Sequence, residues 1–408
     1  MKVVGIIAEY NPFHSGHAYQ IQQTKALLGE NCAIIVIMSG NWVQSAYPAL
    51  MDKWLRSQIA LSHGADLVFE LPTPWAISSA EEFARGGIAL LHATGIVDTL
   101  SFGSECGQIA SLLKVAHCLN STDYQEQIAQ QVKGGSSFAH CRQKVVEHLL
   151  GQQFSHILET PNNTLGIEYL RALFRLNSTI TPVTIQRMGA EHNSIVIQPS
   201  QHLSATQIRK HILEQDLESV LPFLSPTAQT LLSAAPQITK HSLFLFERLM
   251  LASLRTMSLD DWSLLPDSGV SEGLPNRLYS AAHTACSLEE FYTMVKTKRY
   301  AHSRLRRLAL WGFLGLTKQH RLPSPPYLRV LGFNTRGQAL LSQMKKTATL
   351  PIITKPAHVK TLPADAQVLF ESEVQCTDLY DLLSASVPSG GREWTSSAVR
   401  VYPSQSDI

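Results

Sequence analysis

Short apolar runs alternate with longer amphipathic stretches over the first half of the chain. The runs are bounded by Gly, Pro or polar residues, which predicts strands buried on both faces of a parallel sheet. The predicted strands are Val3–Ala8, Ala33–Met38, Leu67–Leu71, Thr99–Phe102 and Val183–Arg187. The stretches between them carry apolar residues at spacings of three and four, which predicts helices. The first of these helices are Gly16–Leu28, Leu50–Ser62 and Ala80–Leu91.

Strands that alternate with helices imply right-handed crossovers and a Rossmann-like α/β fold with helices on both faces of the sheet. The stretch from about Gln108 to Leu150 is helical and polar-faced, so it is predicted as an insertion. A further helix is predicted at Leu165–Leu176, after a Pro-Asn-Asn loop. Another begins at Ser204, which is a plausible N-cap.

The alternation stops beyond about Asp216, where amphipathic helices with short loops take over. A chain of 408 residues is too long for one ordinary core. We therefore predict an α/β domain over residues 1–215 and a mostly helical domain over 216–408. Within the second domain, the proline-rich break Arg321–Tyr327 precedes a small C-terminal unit.

The composition is that of a globular protein, with 44% hydrophobic and 16% charged residues. A formal net charge of +2 is not by itself a nucleic-acid signature. The sequence has neither an apolar run of about 18 residues nor a signal-peptide pattern, so no membrane association is expected. The six cysteines are scattered, which suits a reducing cytoplasm.

The strongest chemical signal follows the first strand and reads Tyr10-Asn11-Pro12-Phe13-His14-Ser15-Gly16-His17. It opens the first predicted helix, whose N-terminal N–H groups and dipole suit a phosphate. Two imidazoles at i and i+3 can donate to charge that develops on the α-phosphate. The alternatives are a surface histidine pair or two metal ligands, and the strand-turn-helix context favours the phosphate.

A second signal, Leu203-Ser204-Ala205-Thr206-Gln207-Ile208-Arg209, lies at another helix start. Ser204 and Thr206 would present hydroxyl and N–H groups, and Arg209 would clamp the β- or γ-phosphate. The alternative is an ordinary N-cap followed by a solvated arginine. The pairing of both motifs in this order favours phosphate binding.

Both motifs resemble those of the HxGH nucleotidyltransferase superfamily, and the chain as a whole is more closely similar to the bacterial tRNA(Met) cytidine acetate ligase family. The segments that carry this resemblance are Val4–His17, Met38–Gln44, Asp52–Arg56, Gly64–Pro72, Ser101–Glu105, Pro161–Leu170, Lys298–Tyr300 and Tyr327–Asn334. The resemblance implies the nucleotidyltransferase version of the Rossmann-like fold.

The resemblance also implies an ATP-dependent carbon-nitrogen ligase acting in two steps. Acetate attacks the α-phosphate of ATP, which gives acetyl-adenylate and pyrophosphate. The acetyl group then passes to N4 of the wobble cytidine of elongator tRNA(Met). Mg²⁺ is expected with ATP, while no protein partner and no membrane are implied.

The expected catalytic residues are His14, His17 and Arg209. The expected ATP-binding residues are Ile7, Ala8, Glu9, Tyr10, Asn11, Pro12, Phe13, His14, Ser15, Gly16, His17, Ala18, Tyr19, Gln20, Gly103, Asn162, Arg187, Ser204, Thr206 and Arg209. Gly103 and Arg187 end strands, where the sheet edge meets ligands. Asn162, in its loop, could bond the adenine or ribose, and turn chemistry is the alternative for both Gly103 and Asn162.

One loop departs from the family. The family commonly reads Q-R-G-E-P after the second strand, whereas this chain reads Gln44-Ser45-Ala46-Tyr47-Pro48. Nearby, Lys53 and Arg56 are equally consistent with phosphate or RNA contacts and with a solvated helix face. Asp66 and Glu70 flank a strand and are interpreted as structural.

The second domain contains one basic cluster, KTKRYAHSRLRR over Lys296–Arg307, with six basic residues and no acid. On a helical wheel the arginines and Tyr300 share one broad arc, which suits an RNA backbone with a stackable base. The residues predicted to bind tRNA are Lys298, Arg299, Arg304, Arg306 and Arg307. The alternative is a solvated amphipathic helix.

Two other functions remain open from the sequence. One is an adenylyltransferase acting on a small nucleotide or cofactor precursor, although such chains are usually much shorter. The other is a non-catalytic RNA-binding module with a vestigial nucleotide site. The intact motif residues His14, Gly16, His17, Thr206 and Arg209 argue against the second.

Overall fold

The computed structural model describes residues 1–134, 136–187, 203–214, 218–234 and 238–402, of which 233 and 234 are described by their backbone alone. Its strands are β1 (Val3–Ala8), β2 (Ala33–Ser39), β3 (Trp42–Val43), β4 (Tyr47–Pro48), β5 (Leu67–Leu71), β6 (Thr99–Ser104), β7 (Thr181–Gln186), β8 (Leu328–Phe333), β9 (Ile352–Ile353) and β10 (Val399–Arg400). Within the described residues these form an eight-stranded sheet and a separate β3–β4 hairpin.

Five parallel strands, in the order β5-β2-β1-β6-β7, form the centre of the sheet. The register pairs Val4 with Ile34 on one side of β1 and with Thr99 on the other. The chain therefore moves outward from β1 in one direction through β2 and in the other through β6. Ligands bind at such a switch point, beyond the carboxyl ends of the strands, and the predicted α/β fold is confirmed.

Helices cover both faces of this sheet. They are α1 (Ser15–Leu28), α2 (Lys53–Ser62), α3 (Thr73–Ala76), α4 (Ala80–Ala93), α5 (Ile109–Asn120), α6 (Thr122–Gln131), α7 (Phe138–Leu150), α8 (Gln152–Ser155), α9 (Pro161–Arg175), α10 (Ala205–Leu213), α11 (Pro226–Ala234), α12 (Lys240–Thr256), α13 (Leu259–Leu264), α14 (Leu274–Thr284), α15 (Leu288–Val295), α16 (His302–Phe313), α17 (Thr335–Thr347), α18 (Ala364–Asp381) and α19 (Arg392–Thr395). None of these helices, in the described ranges, combines the length and apolar character needed to cross a bilayer.

Alternate residues of the buried strands point into two separate cores. Ile34 and Val36 of β2 belong to a core that includes Phe246 of α12 and Trp311 of α16. Ile35, the residue between them, belongs to the core on the other face, with helices α4, α5 and α9. The helical region therefore packs directly on the sheet, beside the strand ends.

The predicted elements are confirmed with shifts at their ends. Helix α2 begins at Lys53 rather than at Leu50, because the Asp52 side chain accepts the backbone N–H of Leu55 at 2.9 Å and caps the helix there. Helix α9 begins at Pro161, four residues earlier than predicted, because proline is well suited to a first helical position.

The segment after residue 321 belongs with the sheet. Strand β8 pairs antiparallel with β5, with Val68 opposite Gly332, and β9 and β10 pair with β8. The predicted small C-terminal unit is therefore an extension of the sheet edge, because backbone hydrogen bonds join it to the α/β region. Helices α11–α16 form the helical region that precedes this extension. The boundary itself, at 215 and 216, lies outside the described residues and stays a prediction.

Candidate active site

The first motif links β1 to α1 and fixes two imidazoles at the start of the helix. His14 is the N-cap, and its Nδ1 accepts the backbone N–H of Gly16 at 3.0 Å. Nδ1 of His17 accepts the backbone N–H of His14 at 3.3 Å. The two ring centroids lie 3.9 Å apart. Both imidazoles are thus held in place by the backbone N–H groups of the helix start.

These two hydrogen bonds also decide where a neutral ring carries its proton. Because each Nδ1 accepts an N–H, the proton of the neutral form lies on Nε2. Burial holds the pKa of His17 well below its usual range, and the nearby His14 and Arg187 lower it further. His17 is therefore neutral near pH 7 and offers an Nε2–H donor.

Aromatic rings and a strained backbone support this pair. The Tyr10 ring is buried and meets the His17 ring edge-on, with centroids 4.9 Å apart. Phe13 contacts the same ring at 5.5 Å. Tyr10 has φ 47°, a left-handed conformation that is costly for a residue with a side chain. Strain of this kind persists where the surrounding structure holds it, often at functional sites.

The second motif meets the first at the backbone of Asn11. Ser204 caps α10, since its Oγ accepts the N–H of Gln207 at 3.3 Å, which confirms its predicted capping role. Nη1 of Arg209 donates to the carbonyl oxygen of Asn11 at 2.6 Å, and Nη2 donates to Oγ1 of Thr206 at 3.1 Å. Burial lowers the pKa of Arg209, and the charge of Glu9 opposes that shift. The structure therefore brings both motifs together.

Gly103 and Arg187 lie on the other side of β1 from β2. Gly103 is in β6, and the backbone N–H of Arg187 donates to the carbonyl of Ser104 at 2.9 Å. A Cβ added at Gly103 would lie 3.3 Å from Cγ of Arg187, so the arginine side chain packs directly over the glycine backbone. Its electrostatic effect on His17 places Arg187 near the first motif.

Asn162 lies in the first turn of α9 instead of in the predicted loop. Its Nδ2 donates to Oε1 of Glu105 at 2.7 Å, and the backbone N–H of Asn163 donates to Oε2 at 2.7 Å. Glu105 thus caps α9, where a carboxylate complements the helix dipole. Sequence reasoning missed this role of Glu105, although an acid just after Gly103-Ser104, at the edge of the sheet, was a usable signal.

Lys53 and Arg56 are buried and bonded to protein groups, so neither the solvated helix face nor a phosphate or RNA contact describes them. They are 1% and 0% exposed. Arg56 donates to main-chain carbonyls, including Glu9 at 2.6 Å and Ser39 at 3.1 Å. The helix face that carries them is covered by the C-terminal segment, which the local pattern could not reveal.

Lys53 is the centre of a group that we call the buried ion cluster, formed by Lys53, Glu70, Arg329, Glu373 and Glu393. Lys53 Nζ pairs with Glu70 at 2.6 Å and also with Glu393, and Arg329 contacts Glu393 at 3.4 Å. Burial and the nearby Glu70 raise the pKa of Glu373 to about 7. The predicted structural role of Glu70 is confirmed.

Asp66 is also structural, as predicted. Its Oδ2 accepts the N–H of Ile34 at 2.8 Å, and its Oδ1 accepts Nδ2 of Asn334 at 2.9 Å. The carboxylate thus joins β2 to the C-terminal segment.

The loop that departs from the family forms the β3–β4 hairpin and is tied to the first motif. The N–H of Gln44 donates to Oε1 of Glu9 at 2.8 Å, and the N–H of Leu50 donates to Oδ1 of Asn11 at 2.8 Å. Ala46 has φ 62°, a conformation that glycine adopts freely, which accounts for the glycine of the family pattern.

The basic cluster is not the continuous helical arc that was predicted. Lys298 and Arg299 are exposed in the loop before α16, which begins only at His302. Tyr300 is 4% exposed and donates from its hydroxyl to the carbonyl of Glu272, so it offers no face for stacking.

The three helical arginines of the cluster are each half-buried. Arg304 pairs with Glu272 at 3.4 Å. Burial lowers the pKa of Arg307. Arg306 lies 5.8 Å from the ring centroids of both Tyr47 and Tyr292. Among the six basic residues of this cluster, only Lys298 and Arg299 are thus exposed to solvent.

Known proteins match nearly the full length of the chain. The HIGH Nucleotidyl Transferase family matches residues 1–393. A tRNA(Met) cytidine acetate ligase of Thermoanaerobacter sp. (strain X514) is 39% identical, over 94% of this chain and 95% of the relative. The same enzyme of Clostridium kluyveri is 38% identical, over 95% and 96%.

Two crystal structures of Thermotoga maritima TmcAL are similar over their full length. The apo form matches with a TM-score of 0.92, and the form bound with alpha-thio ATP matches with 0.89. Each is 31% identical to this chain and covers 99% of it, and the chain covers 100% of each.

Proposed function

The chain belongs to the HIGH nucleotidyl transferases and, among them, to the tRNA(Met) cytidine acetate ligases, and we propose that it makes N4-acetylcytidine at the wobble position of elongator tRNA(Met). An acetate oxygen attacks the α-phosphorus of ATP, and the bond to pyrophosphate breaks. The cytidine N4 amine then attacks the acetyl carbon, loses a proton and releases AMP.

One observation supports the first step most strongly, namely that both motifs converge on the turn between β1 and α1. His14 and His17 are fixed by backbone N–H groups. Arg209 donates to the carbonyl of Asn11, which lies in the chain between β1 and His14. We propose that the Nε2–H groups of the two imidazoles stabilise charge that develops on the α-phosphate. Donors fixed before the reaction begins need no reorganisation when it proceeds.

The remaining proposed ATP contacts surround this point. Residues 7–20 supply the turn and the helix start, and Ser204, Thr206 and Arg209 face the outer phosphates. Gly103 lets the nucleotide approach β6, with Arg187 across it. The Asn162 amide, held by Glu105, is assigned to the adenine or ribose.

Mg²⁺ is proposed to enter as part of the substrate MgATP. In the described part of the chain no three His, Cys, Asp or Glu side chains converge as a metal site. Mg²⁺ usually keeps several waters and binds through substrate phosphates, which fits this arrangement. Its chemistry is to neutralise phosphate charge.

The second step takes place where tRNA reaches the acetyl-adenylate. The weakly nucleophilic amine is proposed to react through placement beside the acetyl group. Lys298 and Arg299 are exposed for phosphate contacts, while Arg304, Arg306 and Arg307 are assigned to the same surface. With tRNA as acceptor, the reaction is assigned to the cytoplasm.

The test combines purified protein, MgATP, labelled acetate and total bacterial tRNA, followed by nucleoside analysis. We expect label in N4-acetylcytidine of elongator tRNA(Met), and acetate-dependent exchange of pyrophosphate into ATP without tRNA. His17→Gln should lower both rates by about 10²- to 10³-fold, the cost of one lost donor to developing charge. His156→Gln, at an exposed histidine, is the matched control.

The outcomes separate the alternatives. Transfer of AMP to a small metabolite, with no label in RNA, would favour an adenylyltransferase and remove the tRNA assignment. RNA binding without exchange would favour the non-catalytic module. Exchange at the wild-type rate in His17→Gln would refute the role given to the imidazoles.

A further inference from the structure

The β3–β4 hairpin is tied to the first motif by its backbone and carries an aromatic side chain, Tyr47, that reaches the helical region. Its two ends are bonded to Glu9 and Asn11, as described above, and Tyr47 lies between these tethers with 37% of its surface exposed. The hairpin follows β2, whereas Gly103 and Arg187 follow β6 and lie on the opposite side of β1. The hairpin therefore borders the motif on the side away from the proposed nucleoside contacts, and its Tyr47 ring faces Phe246 of α12, with ring centroids 6.2 Å apart.

Arg306 reaches Tyr47 from the helical region. Its guanidinium lies between the rings of Tyr47 and Tyr292, 5.8 Å from each centroid. Arg306 makes no hydrogen bond or ion pair with any described residue, and its Nε is buried without an acceptor. Arg304, two residues earlier, has Glu272 as its partner. A half-buried guanidinium without a carboxylate keeps its capacity to bind an anion.

An exposed ring next to a guanidinium without an anionic partner suits single-stranded nucleic acid, because the ring stacks on a base and the cation binds the phosphate beside it. We propose that Tyr47 and Arg306 receive one unpaired nucleotide of the RNA acceptor. Tyr47 stacks on its base and Arg306 binds the adjacent phosphate. This inference rests on the proposed function, since it needs an RNA substrate at the same site.

The experiment compares Tyr47→Ala, Tyr47→Phe and Arg306→Gln in two assays. Acetylation of tRNA reports the contact with RNA, and acetate-dependent pyrophosphate exchange reports the folded ATP site without RNA. Tyr47→Ala should raise KM for tRNA about tenfold or more, the usual size of a lost base stack, at an unchanged exchange rate. Tyr47→Phe keeps the ring and should stay within about twofold, because stacking needs only the π-face.

Arg306→Gln should raise KM for tRNA and reduce the salt dependence of RNA binding by about one phosphate contact. Tyr279→Ala is the matched control, because this tyrosine is 39% exposed on α14. It should leave KM for tRNA unchanged.

Three results would overturn the inference. If Tyr47→Ala acetylates tRNA with the wild-type KM, the ring does not contact RNA. If Tyr47→Ala lowers exchange as much as acetylation, the ring serves the ATP site. If Tyr47→Phe loses as much as Tyr47→Ala, the hydroxyl and not the stack is important. Failure of the wild-type protein to acetylate any RNA would instead remove the proposed function.

Discussion

Two polar regions at the carboxyl edge of the sheet look alike in sequence and differ in structure. The first motif follows β1, and the buried ion cluster gathers around Glu70 near the end of β5; both contain side chains that could bind phosphate. At the first motif, the rings of His14 and His17 are fixed by backbone N–H groups, and burial lowers the pKa of His17 so that it presents a donor without carrying charge near pH 7. In the cluster, Lys53 is neutralised by Glu70 and Glu393. Whether a distant segment supplies opposite charges therefore decides which region can take a ligand.

The two regions should also respond to pH with opposite signs. The pKa of His17 is lowered, so its contribution to stability is present above about pH 6.5, its ordinary value, and is lost as the pH falls. The pKa of Glu373 is raised from 4.5 to about 7. Its contribution is present below pH 4.5 and is lost as the pH rises through 7.

Breaking the cluster should give the largest effect on folding. Lys53→Met leaves Glu70 buried without its cation and Glu393 with Arg329 alone, and breaking a buried pair in this way typically costs about 3–5 kcal/mol. We expect chemical denaturation to show a loss of this size in the free energy of unfolding. Lys345→Met, at an exposed lysine of α17, should change it by less than about 0.5 kcal/mol. A loss below about 1 kcal/mol for Lys53→Met would show that the cluster does not hold the C-terminal segment in place.

The next largest effect is expected beside the first motif, where a substitution should change ATP binding and leave folding intact. Arg209→Gln removes a cation proposed to bind phosphate, and charged hydrogen bonds contribute about 1.5–3 kcal/mol. KM for ATP in the exchange assay should rise about 10- to 150-fold, since about 1.4 kcal/mol is a factor of ten. Lys210→Gln, at the exposed neighbouring residue, is the control. An unchanged KM would mean that Arg209 does not bind phosphate and only holds the Asn11 backbone.

The contrast in pH response can be measured through Glu373. Glu373→Gln replaces the carboxyl by a neutral amide, so the loss of stability between pH 4.5 and about 7 should disappear. Relative to the wild type, the variant should gain up to about 1.4 kcal/mol per pH unit over this range. Denaturation curves at several pH values check this, with the exposed Glu371→Gln as control. Parallel curves for Glu373→Gln and the wild type would contradict the raised pKa.

The sequence predicted the parts of this comparison that depend on local pattern. Apolar runs located the buried strands, and the placement of His14 at a strand-to-helix turn located the first motif. Ser204 was recognised as a cap for the same reason. Lys53 and Tyr300 were misread because their surroundings come from segments distant in sequence, namely Glu393 for Lys53 and Glu272 for Tyr300. A helical wheel predicts the direction of a side chain, but it does not predict which distant residue that side chain contacts.

The smallest expected effect tests how closely the first region fits its ligand. In Gly103→Ala the new methyl would lie 3.3 Å from Cγ of Arg187, so the arginine must move by a few tenths of an ångström. Because that side chain is flexible, we expect less than about 1 kcal/mol of destabilisation and a rise in KM for ATP of less than tenfold. Gly134→Ala, where no atom lies within 4 Å of the added Cβ, is the matched control for adding a methyl. A rise of a hundredfold or more would contradict this expectation, because it would mean that the nucleotide packs directly on Gly103 without room for a methyl group.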